Sequence, residues 1–243
     1  LFCKVNSDSE NDNSKENLQI KKVNADSFEV LSVLGRGYFG KVTLVRHKEN
    51  DKLYAMKTIK KSHIFKKRKV NNVLTERNIL IQVDHPFIVN FYYAFQTSKK
   101  FYLIMEYIPG GELFTHIRNN VFNEKDTILY LAEIALALDY LHSIGIIYRD
   151  LKPENVLFNA EGHIKLTDFG LSKQISLQEL NSQTTTFCGT FEYMAPEMIT
   201  INNPEIVDQD ESDSSSSSLS SYSFEIDWWS FGILAYEMLF GKT

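Results

Sequence analysis

The chain has 243 residues and a formal net charge of −5; 43% of the residues are hydrophobic and 23% charged. That is an ordinary globular composition, long enough for one large domain or two lobes, and it argues neither for nucleic-acid binding nor for a membrane surface. Two distant cysteines, Cys3 and Cys188, make no disulfide framework and fit a reducing compartment, and no apolar run reaches the ~18–20 residues of a membrane span.

Residues 1–27 are rich in Asn, Ser, Lys and Glu and read as a flexible lead-in, with order starting at Phe28. Strand-type segments follow over residues 28–34, 42–46 and 53–57. A helical stretch is expected over 70–83, then strands over 88–95 and 101–107. Between these, Lys57, Lys60, Lys61, Lys66, Lys67, Arg68 and Lys69 crowd together. They form either a solvated helix surface or a surface that captures a phosphate or an acidic tail. After Pro109-Gly110-Gly111 the pattern turns helical, with apolar residues at helical spacing from Thr127 to His142. The expected class is α+β: a β-rich lobe with its hinge over 28–108 and an α-rich lobe over 109–243, with the cleft between them as the default ligand site. Residues 201–223 run from Asp208-Gln209-Asp210-Glu211 into a Ser-rich tract and read as a disordered surface insertion, with phosphorylation by an acid-directed kinase as the alternative. The start at Leu1 and the end at Gly241-Lys242-Thr243, directly after an apolar helical run, read as a fragment cut at both ends.

Gly35-Arg36-Gly37-Tyr38-Phe39-Gly40-Lys41-Val42 is a G-x-G-x-x-G-x-V. Dinucleotide folds share these glycines, but there they open a helix; here β-type residues flank them on both sides, as a flap over ATP phosphates requires. Lys57, in Tyr54-Ala55-Met56-Lys57, is placed to neutralise the α- and β-phosphates, with Glu76 on the next helix as the carboxylate that holds it.

Asp150 and Asp168 each sit in a short signature, Tyr148-Arg149-Asp150-Leu151-Lys152-Pro153-Glu154-Asn155 and Asp168-Phe169-Gly170. They match the protein-kinase set H-R-D-x-x-x-x-N plus D-F-G, with Tyr for His. Asp150 would orient the attacking hydroxyl, Lys152 would meet the transferring phosphoryl group, and Asn155 with Asp168 would hold magnesium. Leu157 would form the floor under adenine, with Leu34, Val42 and Ala55 above and Met105 behind, and backbone groups of Glu106 and Ile108 pairing with its edge. From Asp168 to Ala195-Pro196-Glu197 runs an activation segment. Thr186 is its expected phosphosite, where a phosphate of about −1.5 to −2 charge would pair with Arg149 and Lys173. Thr190 would orient Asp150 and Lys152.

Residues 28–243 resemble a serine/threonine protein kinase of the AGC group. Tyr148 and the run Thr186-Phe187-Cys188-Gly189-Thr190-Phe191-Glu192-Tyr193-Met194-Ala195-Pro196-Glu197 carry that resemblance. Within the group the chain is most similar to the ribosomal protein S-six kinases, through Glu76-Arg77-Asn78-Ile79-Leu80, His85-Pro86-Phe87-Ile88-Val89 and Gly110-Gly111-Glu112-Leu113-Phe114. The resemblance implies a two-lobed kinase fold, ATP and magnesium as cofactors, and protein substrates with arginines N-terminal to the acceptor, received by Glu112 and Glu154. It also implies activation at Thr186 by the phosphoinositide-dependent kinase and a cytoplasmic, also nuclear, location. The segment near Lys66–Lys69 would border a pocket for a phosphorylated hydrophobic tail. Asn72 stands where many relatives carry a basic residue or His. The family continues past Thr243 with helices, one supplying an arginine for Glu197, so the α-rich lobe is expected to be incomplete. Two other functions compete: a weak or inactive fragment serving as a nucleotide-binding scaffold, and a dinucleotide-dependent oxidoreductase resting on the glycines alone.

Overall fold

The computed structural model describes residues 2–3, 23–37, 40–66, 70–119, 122–175, 184, 186, 188–200 and 221–243. The chain divides into two compact units, the first made of Leu1–Ile81 with Asn90–Tyr107, the second of Gln82–Val89 with Ile108–Thr243.

The first unit is built on a six-stranded sheet of Phe2–Cys3 (β1), Phe28–Gly37 (β2), Gly40–His47 (β3), Leu53–Lys60 (β4), Phe91–Gln96 (β5) and Lys100–Glu106 (β6), in the order β1-β5-β6-β4-β3-β2. All its neighbours pair antiparallel. Side chains alternate between the two faces of a strand, so Tyr54 and Met56 of β4 point one way and Ala55 and Lys57 the other. Tyr54 and Met56 join Phe28, Val45, Phe95, Tyr102 and Ile104 in an aromatic-rich core. Phe28 meets Tyr54 edge-on at 6.1 Å and stacks on Phe95 at 6.2 Å. Two helices belong to this unit, Lys61–Lys66 (α1) and Val70–Gln82 (α2). Along α2, Val73, Glu76, Ile79 and Leu80 form one buried stripe at helical spacing.

Two expectations change here. The lead-in over 1–27 contains ordered parts: Phe2 and Cys3 pair with Ala94 and Tyr93 of β5. Ala25–Ser27 forms a 3-10 turn capped by Asn24, whose side chain accepts from the Asp26 amide at 2.8 Å. Residues 4–22 lie outside the described residues. The strand expected from Ile88 begins only at Phe91, because the backbone at Ile88 is committed elsewhere: Leu166 donates to Phe87 O at 2.9 Å, and Val89 donates to Leu166 O at 3.0 Å.

The second unit is mostly helical: Leu113–Asn119 (α3), Glu124–Ser143 (α4), Pro196–Thr200 (α5) and Glu225–Phe240 (α6). Short ladders pair Ile146–Ile147 (β7) with Lys173–Gln174 (β10) and Val156–Phe158 (β8) with Ile164–Leu166 (β9). Asn123 caps α4, accepting from the Asp126 amide at 2.9 Å, and Glu124 and Asp126 complement the helix dipole. Ile134, Ala137, Leu138 and Leu141 bury its inner face. Helix α6 buries Ile226, Ser230, Leu234 and Met238, spaced by four, and stops at Gly241 in the left-handed conformation, φ 74°.

The insertion expected over 201–223 needs a narrower boundary. Residues 201–220 lie outside the described residues, but Tyr222 is fully buried among Ile147, Met194, Ala195, Met198 and Ile226. A Ser-rich composition around it concealed one large aromatic with a core to enter.

Candidate active site

In the first unit the glycines join two antiparallel strands: Gly37 of β2 pairs with Gly40 of β3, and the ladder slips register between Val33 and Gly35. A dinucleotide site needs a strand followed by a helix, so that reading falls. The glycines differ in their reasons. A Cβ on Gly40 would sit 1.9 Å from the Thr58 carbonyl oxygen of β4, so close backbone approach demands glycine there. A Cβ on Gly35 would meet nothing within 4 Å.

Cross-strand partners share a face of the sheet. Val42 lies opposite Lys57, Lys57 opposite Leu103, and Ala55 opposite Met105. These residues therefore line the face away from the aromatic core. Lys57 Nζ donates to Glu76 Oε1 of α2 at 2.6 Å, with side-chain exposures of 16% and 4%. The paired carboxylate fixes the ammonium in place. Leu34 is exposed on β2. Glu106 N–H is spent on Asn90 O at 2.9 Å, and its carboxylate accepts from the Asn90 amide groups, so a contact from Glu106 to a base would come from its carbonyl. Lys67, Arg68 and Lys69 lie outside the described residues.

In the second unit Asp150 is almost buried and fully engaged. Its carboxylate accepts from Lys152 Nζ at 3.1 Å, Thr190 Oγ1 at 3.1 Å and Asn155 Nδ2 at 2.8 Å. Lys152 also donates to Thr190 Oγ1 at 2.8 Å, closing a triangle. Catalytic loop and activation segment thus meet on one carboxylate, through Thr190. The backbone around Asp150 is held in turn by Asp227 of α6, which is completely buried. Asp227 accepts from Tyr148 N–H at 2.8 Å, Arg149 N–H at 2.7 Å and His142 Nε2 at 2.8 Å. Tyr148, in the place of the usual His, donates its hydroxyl to Thr167 O and packs edge-on against the buried Phe169 at 5.4 Å. Burial, with Asp150 and Asp168 nearby, pushes the Tyr148 hydroxyl well above its ordinary range, so it stays a neutral donor. Arg149 and Asp168 both take left-handed backbone, φ 69° and 51°, a cost concentrated at functional loops.

Asn155 spends its amide nitrogen on Asp150, and this leaves Oδ1 as its remaining acceptor. Asp168 presents an exposed carboxylate. An amide oxygen and a carboxylate are the hard donors that magnesium takes, and the rest of its shell ordinarily comes from phosphate and water. The pair therefore fits the ion. Among the described residues no group of three or more His, Cys, Asp or Glu could hold a metal alone.

Leu157 lies half-buried in β8, bridged to Glu112, and Ile108 is buried. Burial first, then the neighbouring Glu154, raises the Glu112 carboxyl above its usual range. Glu237 of α6 joins them. It accepts a short hydrogen bond from the Tyr193 hydroxyl, and burial and Glu154 raise its pKa. In the sequence Glu237 interrupts the apolar run from Phe231 to Phe240, and that carboxylate within the run was the available signal.

Thr186 is exposed. Lys173 Nζ reaches Thr184 Oγ1 at 2.6 Å, and Thr184 Oγ1 lies 3.5 Å from Thr186 Oγ1. Arg149 reaches Thr186 through Tyr222, donating at 3.0 Å to a hydroxyl that donates to Thr186 O. Both cations expected to meet a phosphate thus lie one hydrogen-bonded neighbour away from Thr186. His142, Asp227 and Tyr222 were missed as site residues because their partners are remote in sequence.

The Asp150–Lys152–Thr190–Asn155 constellation beside an exposed Asp168 decides the family, and sequence comparison agrees: residues 28–243 match the protein kinase domain. The chain belongs to the protein kinase family. It is 46% identical over 228 residues to the RAC family serine/threonine-protein kinase homolog of Dictyostelium discoideum, covering 93% of this chain and 47% of that protein. It is 48% identical over 225 residues to the human Ribosomal protein S6 kinase alpha-3, covering 91% of this chain and 28% of that protein. The kinase domain described here thus spans less than half the length of these relatives.

Proposed function

We propose that this domain transfers the γ-phosphate of ATP to serine or threonine in protein segments carrying arginines N-terminal to the acceptor, and that phosphate on Thr186, added by a phosphoinositide-dependent kinase, raises its rate. The observation that carries the reading is the carboxylate of Asp150, oriented by Lys152, Thr190 and Asn155. Asp150 receives the proton of the acceptor hydroxyl and aims its oxygen. Lys152, held by Thr190, is the cation available to the transferring group. Lys57, anchored by Glu76, supplies the positive charge for the α- and β-phosphates. Magnesium, when bound by Asn155 and Asp168, neutralises phosphate charge. Glu112 and Glu154, with Glu237 beside them, receive the arginines; their mutual repulsion is relieved when a guanidinium arrives. A cytoplasmic, also nuclear, place of action belongs to the same reading; no described helix is long and apolar enough to cross a membrane.

The test is transfer of labelled phosphate from ATP-magnesium to an Arg-x-Arg-x-x-Ser peptide, with Asp168→Ala as control. Transfer by the parent and none by the variant is the expected result. Nucleotide binding without transfer, in this chain and in longer ones alike, would replace the kinase reading with that of a nucleotide-binding module.

A further inference from the structure

Tyr222, in the chain entering α6, touches the activation segment. Thr184 N–H donates to Tyr222 O at 3.0 Å, and Tyr222 N–H donates to Thr184 O at 3.1 Å, a closed antiparallel bridge. Both residues are buried, Thr184 at 2% and Tyr222 at 0% exposure. The Tyr222 ring fills the core beside Met194, Met198 and Ile226. Its hydroxyl sits at a junction, accepting from Arg149 Nη1 at 3.0 Å and donating to Thr186 O. Arg149 Nε closes the other side of the fork on Leu171 O at 2.7 Å. Burial raises the hydroxyl's pKa although Arg149 opposes it, so the group stays protonated and can donate.

The arginine preceding Asp150 has strained left-handed backbone, and among the described residues no carboxylate forms an ion pair with its guanidinium. A neutral hydroxyl and a carbonyl hold its fork instead. We propose that Tyr222 is a positioning residue that ties Arg149 to Thr184 and Thr186 before any phosphate is present, so that the unphosphorylated domain keeps its catalytic loop aimed and a phosphate arriving on Thr186 finds the arginine already placed. Preorganisation of this kind removes an ordering cost from the later step. The inference rests on the phosphotransfer reading above for its consequence, but not for the clamp itself.

Tyr222→Phe keeps the ring in its core and deletes only the hydroxyl. Amide exchange at Thr184, and peptide phosphorylation with and without phosphate on Thr186, are compared in parent and variant. A hydrogen bond to a charged group predicts about tenfold faster exchange at Thr184 with α6 amides unchanged, and about tenfold lower kcat in the unphosphorylated domain at unchanged KM for ATP. Phosphate on Thr186 supplies a replacement for the lost hydroxyl and brings both values back to within about threefold of the parent. Unaltered Thr184 exchange in Tyr222→Phe overturns the clamp. Equal kcat losses in both phosphorylation states reduce Tyr222 to packing and overturn the positioning role. A parent inactive toward peptide sinks the kinase reading of this chain, and exchange at Thr184 then decides the clamp alone.

Discussion

A carboxylate that receives hydrogen bonds from three side chains has little freedom left, and Asp150 is such a group. Its oxygens are positioned before a substrate arrives, which is how an acid–base group is made effective. Asp150→Asn keeps the shape and removes the proton acceptor; kcat should fall about 10²–10⁴-fold with the melting temperature little changed, read by peptide phosphorylation beside thermal unfolding. Glu76 plays a different part. It is the buried half of an ion pair whose other half keeps some solvent contact. Glu76→Ala strands the Lys57 charge and should cost about 3 kcal/mol in denaturant unfolding, at the low end for a broken buried pair. His85 offers a pH test. Its ring stacks on Tyr140 at 5.0 Å, its Nδ1 accepts from the Phe87 amide at 3.2 Å, and burial, then Lys165, lowers its pKa from 6.5. The unfolded chain therefore takes up this proton at higher pH than the folded one. The stability His85 contributes is complete above about pH 6.5 and is lost as pH falls through its folded-state pKa. Between about pH 7.5 and 5.5 the parent should lose more melting temperature than His85→Gln. An equal loss would show that other groups carry the slope.

Among the elements, the β2–β3 hairpin separates structural from functional glycine. Gly40 packs against the β4 backbone, whereas Gly35 borders open space. Gly40→Ala must push β3 and β4 apart and should cost about 1–3 kcal/mol, the range for overpacking. Gly35→Ala should leave the melt of the free protein unchanged or slightly raised, because glycine in a strand carries excess unfolded-state entropy. It should nevertheless reduce the stabilisation by ATP-magnesium, since backbone approach to phosphate is what Gly35 offers. Melting both variants with and without nucleotide distinguishes the two reasons. Helix α6 shows a similar division by face: Ile226, Leu234 and Met238 are buried, while Trp228, Trp229, Tyr236 and Phe240 remain between 41% and 59% exposed.

For the whole molecule, chemistry depends on contacts that no short window of sequence contains. The backbone at Arg149 is held by a carboxylate 78 positions later, and its guanidinium by a hydroxyl 73 positions later. Asp227→Ala would orphan the Tyr148 and Arg149 amides inside the fold and should cost at least about 3 kcal/mol, seen as a lower and less cooperative melt. Ligand linkage gives the complementary test: ATP-magnesium at about a hundred times its Kd should stabilise the parent by about 2.7 kcal/mol, with the shift abolished in Asp168→Ala.

The sequence by itself determined the family and the order of strands then helices, and it singled out Lys57, Glu76, Asp150, Lys152, Asn155 and Asp168 as candidates. Those features are local: periods of two and 3.6 appear within one element, and each motif keeps its residues within a few positions of one another. Tertiary structure alone decided that Tyr222, at the end of a Ser-rich tract, is a core residue, that Ile88 leaves the neighbouring strand for Leu166, and that His142 and Asp227 brace the catalytic loop. The physical reason is the same in each case. A buried polar or aromatic group is stable only when a complementary partner meets it, and here that partner comes from a distant part of the chain.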